Sequence, residues 1–183
     1  MKPSSVYRIC QLGAVILAAV HIATSLPAQT NPPALSVNGA VEQPLSLTLS
    51  DLQAMPRTKL KTREKDGSEA TFEGVLLFEV VRRARPILSE HCCSNAVNTV
   101  VVIMADDGYQ ALFSLPELDP KFSSREILLA DRRDGKPLDL RQGALQVITP
   151  DDKVKARWVR QVTRIAVLPV GDLRGAATNS LAR

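Results

Sequence analysis

Aromatic residues are scarce in this sequence: four Phe, two Tyr and one Trp make up 4% of 183 positions. A core must therefore be built from Val, Leu and Ile. The aromatic interleaving on which single-stranded nucleic acid stacks is missing, so nucleic acid is not an expected partner. Histidine is scarcer still, and only His91 lies beyond the N-terminal segment. A zinc centre needs three or four ligands. His91-Cys92-Cys93 supplies neighbours that point different ways, with no second Cys/His cluster to complete a set. There is no G-x-S-x-G elbow and no glycine-rich phosphate loop, so serine-hydrolase and P-loop or dinucleotide chemistry find no support. Adjacent Cα atoms are about 3.8 Å apart, too close for ordinary disulfide geometry. Cys92 and Cys93 thus leave a vicinal bridge, an intermolecular bridge or two thiols as alternatives.

What is present begins with a leader-like N-terminus. Lys2 and Arg8 are followed by an apolar run from Ile9 to Ala23, then by small residues and a proline through Ala28. This is the pattern of a secretory signal peptide over residues 1–28, cut after Ser25 or Ala28. The run is short for a bilayer span, which takes roughly 20 apolar residues; an uncleaved anchor is the alternative. The expectation is a periplasmic or secreted protein with no stable membrane span after cleavage. Losing Lys2 and Arg8 would lower the net charge from +4 to +2.

Residues 29–34 read as a flexible leading segment and residues 169–183, rich in small and polar side chains, as a disordered tail. The foldable part is 35–168. Asn38-Gly39 predicts a turn between short strands at Leu35–Val37 and Leu45–Leu49. Ser50 is the expected N-cap of a short helix that ends at Pro56. Asp66-Gly67, Asp107-Gly108 and Asp134-Gly135 predict hairpin turns. Strands are expected over Asn98–Met104, Tyr109–Leu115, Leu145–Thr149 and Trp158–Leu168. Leu76, Leu77, Val80, Val81 and Ala84 recur at helical spacing before Pro86, and a helical turn is expected near Pro116–Leu118. Many strands with few helices predict an α+β domain, β-rich, with a mixed or antiparallel sheet.

The most distinctive local feature is the alternation of Arg57, Lys59, Lys61, Arg63 and Lys65 with Thr58, Leu60, Thr62 and Glu64. On a strand these cations project from one face. Such a face is either a solvated edge protected against aggregation or an anion site. Lys153, Lys155 and Arg157 repeat the spacing.

Several segments, taken in order, resemble the sulfite-oxidase-like molybdopterin-binding domain. They are Leu35-Ser36-Val37-Asn38-Gly39-Ala40-Val41 with Leu47-Thr48-Leu49-Ser50-Asp51-Leu52; Phe72-Glu73-Gly74-Val75-Leu76-Leu77; Asp107-Gly108-Tyr109; and Ile148-Thr149-Pro150 through Arg157-Trp158-Val159 to Arg164-Ile165. The resemblance spans roughly residues 35–168. It implies that fold, and a molybdopterin cofactor held by basic groups. Arg157 would then face the cofactor phosphate with Lys153 and Lys155 nearby. Together with Arg57, Lys59, Lys61 and Arg63, these are the expected cofactor- or anion-binding residues. The resemblance also implies a molybdenum-ligating cysteine between the first helix and Gly74, yet Arg57–Glu73 contains none, and Phe72 stands where the family has tryptophan. No catalytic residue or metal ligand is therefore assigned. The expected function is a non-catalytic module for an anionic small molecule or an envelope protein. The alternatives are an oxidoreductase with an atypical metal ligand, and a basic face that meets anionic envelope polymer or lipid.

Overall fold

The computed structural model describes residues 32–63, 67–88 and 94–171. The expected leader, His91-Cys92-Cys93, Lys65 and all but the first residues of the expected tail lie outside the described residues. In chain order the elements are β1 (Leu35–Gly39), β2 (Leu45–Leu47), α1 (Leu49–Gln53), β3 (Thr58–Arg63), β4 (Glu69–Leu76) and α2 (Leu77–Arg83). Then come α3 (Ser94–Val97), β5 (Thr99–Ala105), β6 (Gln110–Ser114), α4 (Leu115–Leu118), β7 (Leu128–Arg133), β8 (Lys136–Pro137) and β9 (Gln146–Ile148). A 3-10 turn over Lys155–Arg157 leads to β10 (Val162–Pro169).

The strands form two sheets. One has the order β2-β1-β10-β5-β6, with β1 parallel to β10 and the other neighbours antiparallel. The other has the order β3-β4-β7-β8, with β9 also pairing β7. This is the β-rich α+β architecture that the strand count predicts. Strand alternation divides the apolar side chains into two cores. Val37, Val101, Ile103 and Ile165 of the first sheet pack with Val75, Leu129 and Val147 of the second and with Leu77, Val80 and Val81 of α2. The opposite parity of the second sheet, with Leu60, Phe72, Leu128, Ala130 and Ile148, builds a smaller cluster closed by Leu138 and Trp158. Among the described residues no helix is long and apolar enough to cross a membrane.

Several local expectations are corrected. The N-cap of α1 is Thr48, not Ser50. The Thr48 hydroxyl accepts from the Asp51 N–H, and the Asp51 carboxylate accepts from the Thr48 N–H at 2.8 Å, a reciprocal capping box. Asn38-Gly39 is the end of β1 rather than a two-residue turn. Both residues of Asp134-Gly135 have positive φ, as a type I′ turn requires, whereas at Asp107-Gly108 only the glycine does. The strand expected from Trp158 starts only at Val162: the 3-10 turn over Lys155–Arg157 ends just before Trp158, and Gln161 has φ +50. Lys153, Lys155 and Arg157 therefore do not form a ladder. At its far end β10 includes Pro169, and the Val170 N–H donates to the Asn98 carbonyl at 2.7 Å.

Two glycines of the motif segments are explained by close backbone approach. A Cβ at Gly39 would lie 2.2 Å from the Val167 oxygen, and one at Gly74 would lie 2.1 Å from the Leu129 oxygen. Gly74 also follows the register shift between β4 and β7, where a missing side chain lets the strands close. Gly74→Ala should destabilise the domain by about 1–3 kcal/mol, the usual range for overpacking against atoms that cannot yield. Urea unfolding checks this: the midpoint falls while the slope is unchanged.

Candidate anion-binding clefts

The loop from Thr149 to Trp158 carries the charged end of the closing motif, and charge pairing fixes its course. Arg157 donates to Asp152 through Nε at 2.8 Å and through Nη2 at 2.7 Å, and to Glu117 on α4 through Nη1 at 3.0 Å. Its guanidinium lies 4.7 Å from the centre of the Phe113 ring. Arg125 joins the same carboxylates, Glu117 and Asp152. The hydrogen bond from Arg157 is the main reason that the Asp152 carboxyl titrates below its ordinary value; burial opposes the shift, and the Thr149 hydroxyl and Arg125 assist it. The hydrogen bond to Asp152 in turn raises the Arg157 pKa above its ordinary value.

The other motif residues meet at this loop. The Tyr109 hydroxyl, from the Asp-Gly-Tyr hairpin, donates to the Ala156 carbonyl at 2.7 Å. Trp158 donates through its indole N–H to the Thr149 carbonyl at 3.0 Å. Its ring meets Phe72 edge-on, with centroids 5.7 Å apart. The Lys155 ammonium sits over the indole, 4.1 Å from its centre, in cation–π geometry.

The seven cations expected at the site are thus distributed. Arg57, at the start of β3, pairs with buried Asp131 and with Glu73, and Gln53 donates to the same Asp131 at 3.1 Å. Lys59 reaches Glu73 at 3.4 Å. Lys61 and Arg63 are exposed on β3, on the parity opposite buried Leu60 and Thr62. Arg157 faces Asp152 and Glu117. Only Arg63, Lys153 and Lys155 are brought together, around a cavity of about 420 Å³ whose walls include Thr62, Val154 and Trp158.

A second cavity, of about 280 Å³, lies on Trp158, Lys155 and Phe72. Its charged lining is Arg133, Arg141 and Arg160 with one carboxylate, Asp139. Buried Gln146 accepts from Gln142 at 2.8 Å at the same place. The sequence reading missed these residues. Arg133 was hidden beside a hairpin signal, and Arg141 and Arg160 sit in irregular loops with no periodicity to mark them. Gln146 did leave a trace, as a polar residue at the head of the apolar run Val147-Ile148.

The fold and the convergence of these motifs define a sulfite-oxidase-like molybdopterin-binding domain. The family model described as oxidoreductase molybdopterin binding domain matches residues 23–171, and the chain belongs to that family. Among solved structures it is similar to the sulfane dehydrogenase SoxCD from Paracoccus pantotrophus, with a TM-score of 0.59 and 20% identity over 73% of this chain and 37% of that one. The likeness shows the fold, and this chain spans well under half the length of that relative. No curated protein matches the sequence.

The family implies a thiolate-bound molybdenum, and the described donor set does not fit it. The segment where the ligating cysteine belongs is the β3–β4 hairpin, which has no thiol and places Thr62 on its buried parity. A hydroxyl is a hard donor and does not replace a soft thiolate. Among the described residues no group of three or more His, Cys, Asp or Glu is placed to hold a metal ion.

A carboxylate with a depressed folded pKa contributes stability that is complete above its unfolded pKa and is lost as pH falls through the folded value. Asp152→Asn should therefore flatten the acid limb of the stability curve. Thermal melts taken from about pH 5 to about pH 2 should show a smaller fall in Tm for the variant than for the parent chain.

Proposed function

We propose that this member of the family is an exported, non-catalytic module that binds a small polyanion, without thiolate-ligated molybdenum. The observation that carries the reading is the cleft on Trp158, where Arg133, Arg141, Lys155 and Arg160 surround a cavity against the single carboxylate of Asp139. Charge-assisted hydrogen bonds from guanidinium groups are strong and suit carboxylate or phosphate oxygens. The aromatic floor of Phe72 and Trp158 gives the cleft a rigid base, since the two rings hold each other edge-on. The export part rests on the n-region, apolar run and small-residue boundary of the first 28 residues.

Citrate is a suitable probe, and Trp158 is the sole tryptophan, so its emission reports on the cleft directly. Citrate should bind saturably and more weakly as salt rises. The double variant Arg141→Ser/Arg160→Ser should lose roughly tenfold or more in affinity. Protein made in a host that synthesises the cofactor should contain neither molybdenum nor pterin by elemental analysis and fluorescence. Near-stoichiometric metal with pterin would replace this reading with that of an oxidoreductase using an atypical ligand.

Export is checked separately. N-terminal sequencing of the protein from a periplasmic fraction should begin after Ser25 or Ala28. Retention of Met1 in the cytoplasm would remove that part of the proposal.

A further inference from the structure

We infer that the cavity between β3 and the 150–158 loop is a second binding site, for a small carboxylate with a compact apolar body, and that the Thr62 hydroxyl donates a hydrogen bond to it. Thr62 lies opposite Ala70 of β4, on the inward parity that it shares with Leu60, and is 7% exposed. Among the described residues its hydroxyl has no hydrogen-bond partner. A buried hydroxyl left unpaired is a net cost, and valine would fill the same strand position without it. The same side chain lines the cavity of about 420 Å³. A ligand oxygen would complete it.

The rest of the lining states the chemistry of that ligand. Arg63, Lys153 and Lys155 supply positive charge, while Pro150, Val154 and Trp158 supply apolar wall. Val154 is 72% exposed, an apolar side chain at the rim with little cover. Asp152 also lines the cavity, but its oxygens accept from Arg157 and Arg125, so its charge is answered within the protein. Cations beside apolar wall favour an amphipathic anion over a compact inorganic one. The arginine-lined cleft on the other side has the opposite bias. The two sites share Lys155 and Trp158, so one fluorophore reads both.

The test titrates the full chain with benzoate and follows Trp158 emission. Saturable binding is expected, with benzyl alcohol and inorganic sulfate each much weaker. Thr62→Val should weaken benzoate binding roughly tenfold or more and melt at or above the parent Tm, whereas Thr62→Ser should retain binding. Citrate binding should be unchanged in Thr62→Val, and benzoate binding unchanged in Arg141→Ser/Arg160→Ser. That crossed pattern separates failure of this site from failure of the polyanion cleft. An absence of saturable benzoate binding overturns the inference. So does equal affinity for Thr62→Val and the parent, or sulfate or benzyl alcohol binding as tightly as benzoate.

Discussion

Arg157 joins two parts of the domain that the backbone hydrogen bonds alone leave separate. Its guanidinium holds Asp152 in the closing loop and Glu117 on α4, the short helix that follows β6. The lengths of these bonds, 2.7–3.1 Å, are those of charge-assisted contacts between partly buried groups, which water screens less than surface pairs. Because the 149–158 loop is otherwise irregular, this pairing sets where Lys153, Lys155 and Trp158 stand. Both cavities take their shared wall from that loop. The Tyr109 hydroxyl, bonded to Ala156, adds a neutral tie to the same turn.

A second ion pair plays the matching part on the other sheet. Asp131 is a buried carboxylate on β7, and Arg57 and Gln53 bring it the donors that a charge in that position needs. This draws the start of β3 toward β7, across β4. Arg57, just before β3, is thereby directed inward, while Lys61 and Arg63 on the strand itself are exposed. The row of like charges is thus divided: Arg57 pairs with Asp131, Lys59 reaches Glu73, and Lys61 and Arg63 are exposed.

In this chain the backbone demands of the family's fold are met, while the segment expected to carry the thiolate has no cysteine. Gly39 and Gly74 keep their places because adding a Cβ would drive it into facing backbone, which is a demand of the fold. The metal-ligating thiol is a demand of the cofactor, and the hairpin that should carry it has Thr62 on its inward parity instead. A fold held by packing and pairing can persist while the donor set that once defined a site changes. What is left at the site is charge, one aromatic pair and a buried hydroxyl.

Much of the architecture was legible in the residues. A β-branched run located β5, the hairpin signal beside it located β6, helical spacing located α2, and Asp134-Gly135 marked its tight turn, because these signals depend on neighbours a few positions apart. The order of the motif segments pointed to the family. The reading failed where a long-range partner decides. Gln161 takes a positive φ where its N–H donates to the Gln142 carbonyl, and this breaks the strand expected from Trp158. The basic spacing of Lys153, Lys155 and Arg157 looked like a ladder, but Asp152 and Glu117 hold Arg157 while Lys153 and Lys155 line a cavity beside the Trp158 ring. Arg133 at the end of β7 and Arg141 and Arg160 in irregular segments share no sequence pattern, so only the tertiary fold assembles them into one cleft. Local sequence determined the elements and the exposed cations of β3. Contacts between residues 40 or more positions apart, such as Arg157 with Glu117 and Arg57 with Asp131, decided which charges face a cavity and which are held by the protein itself.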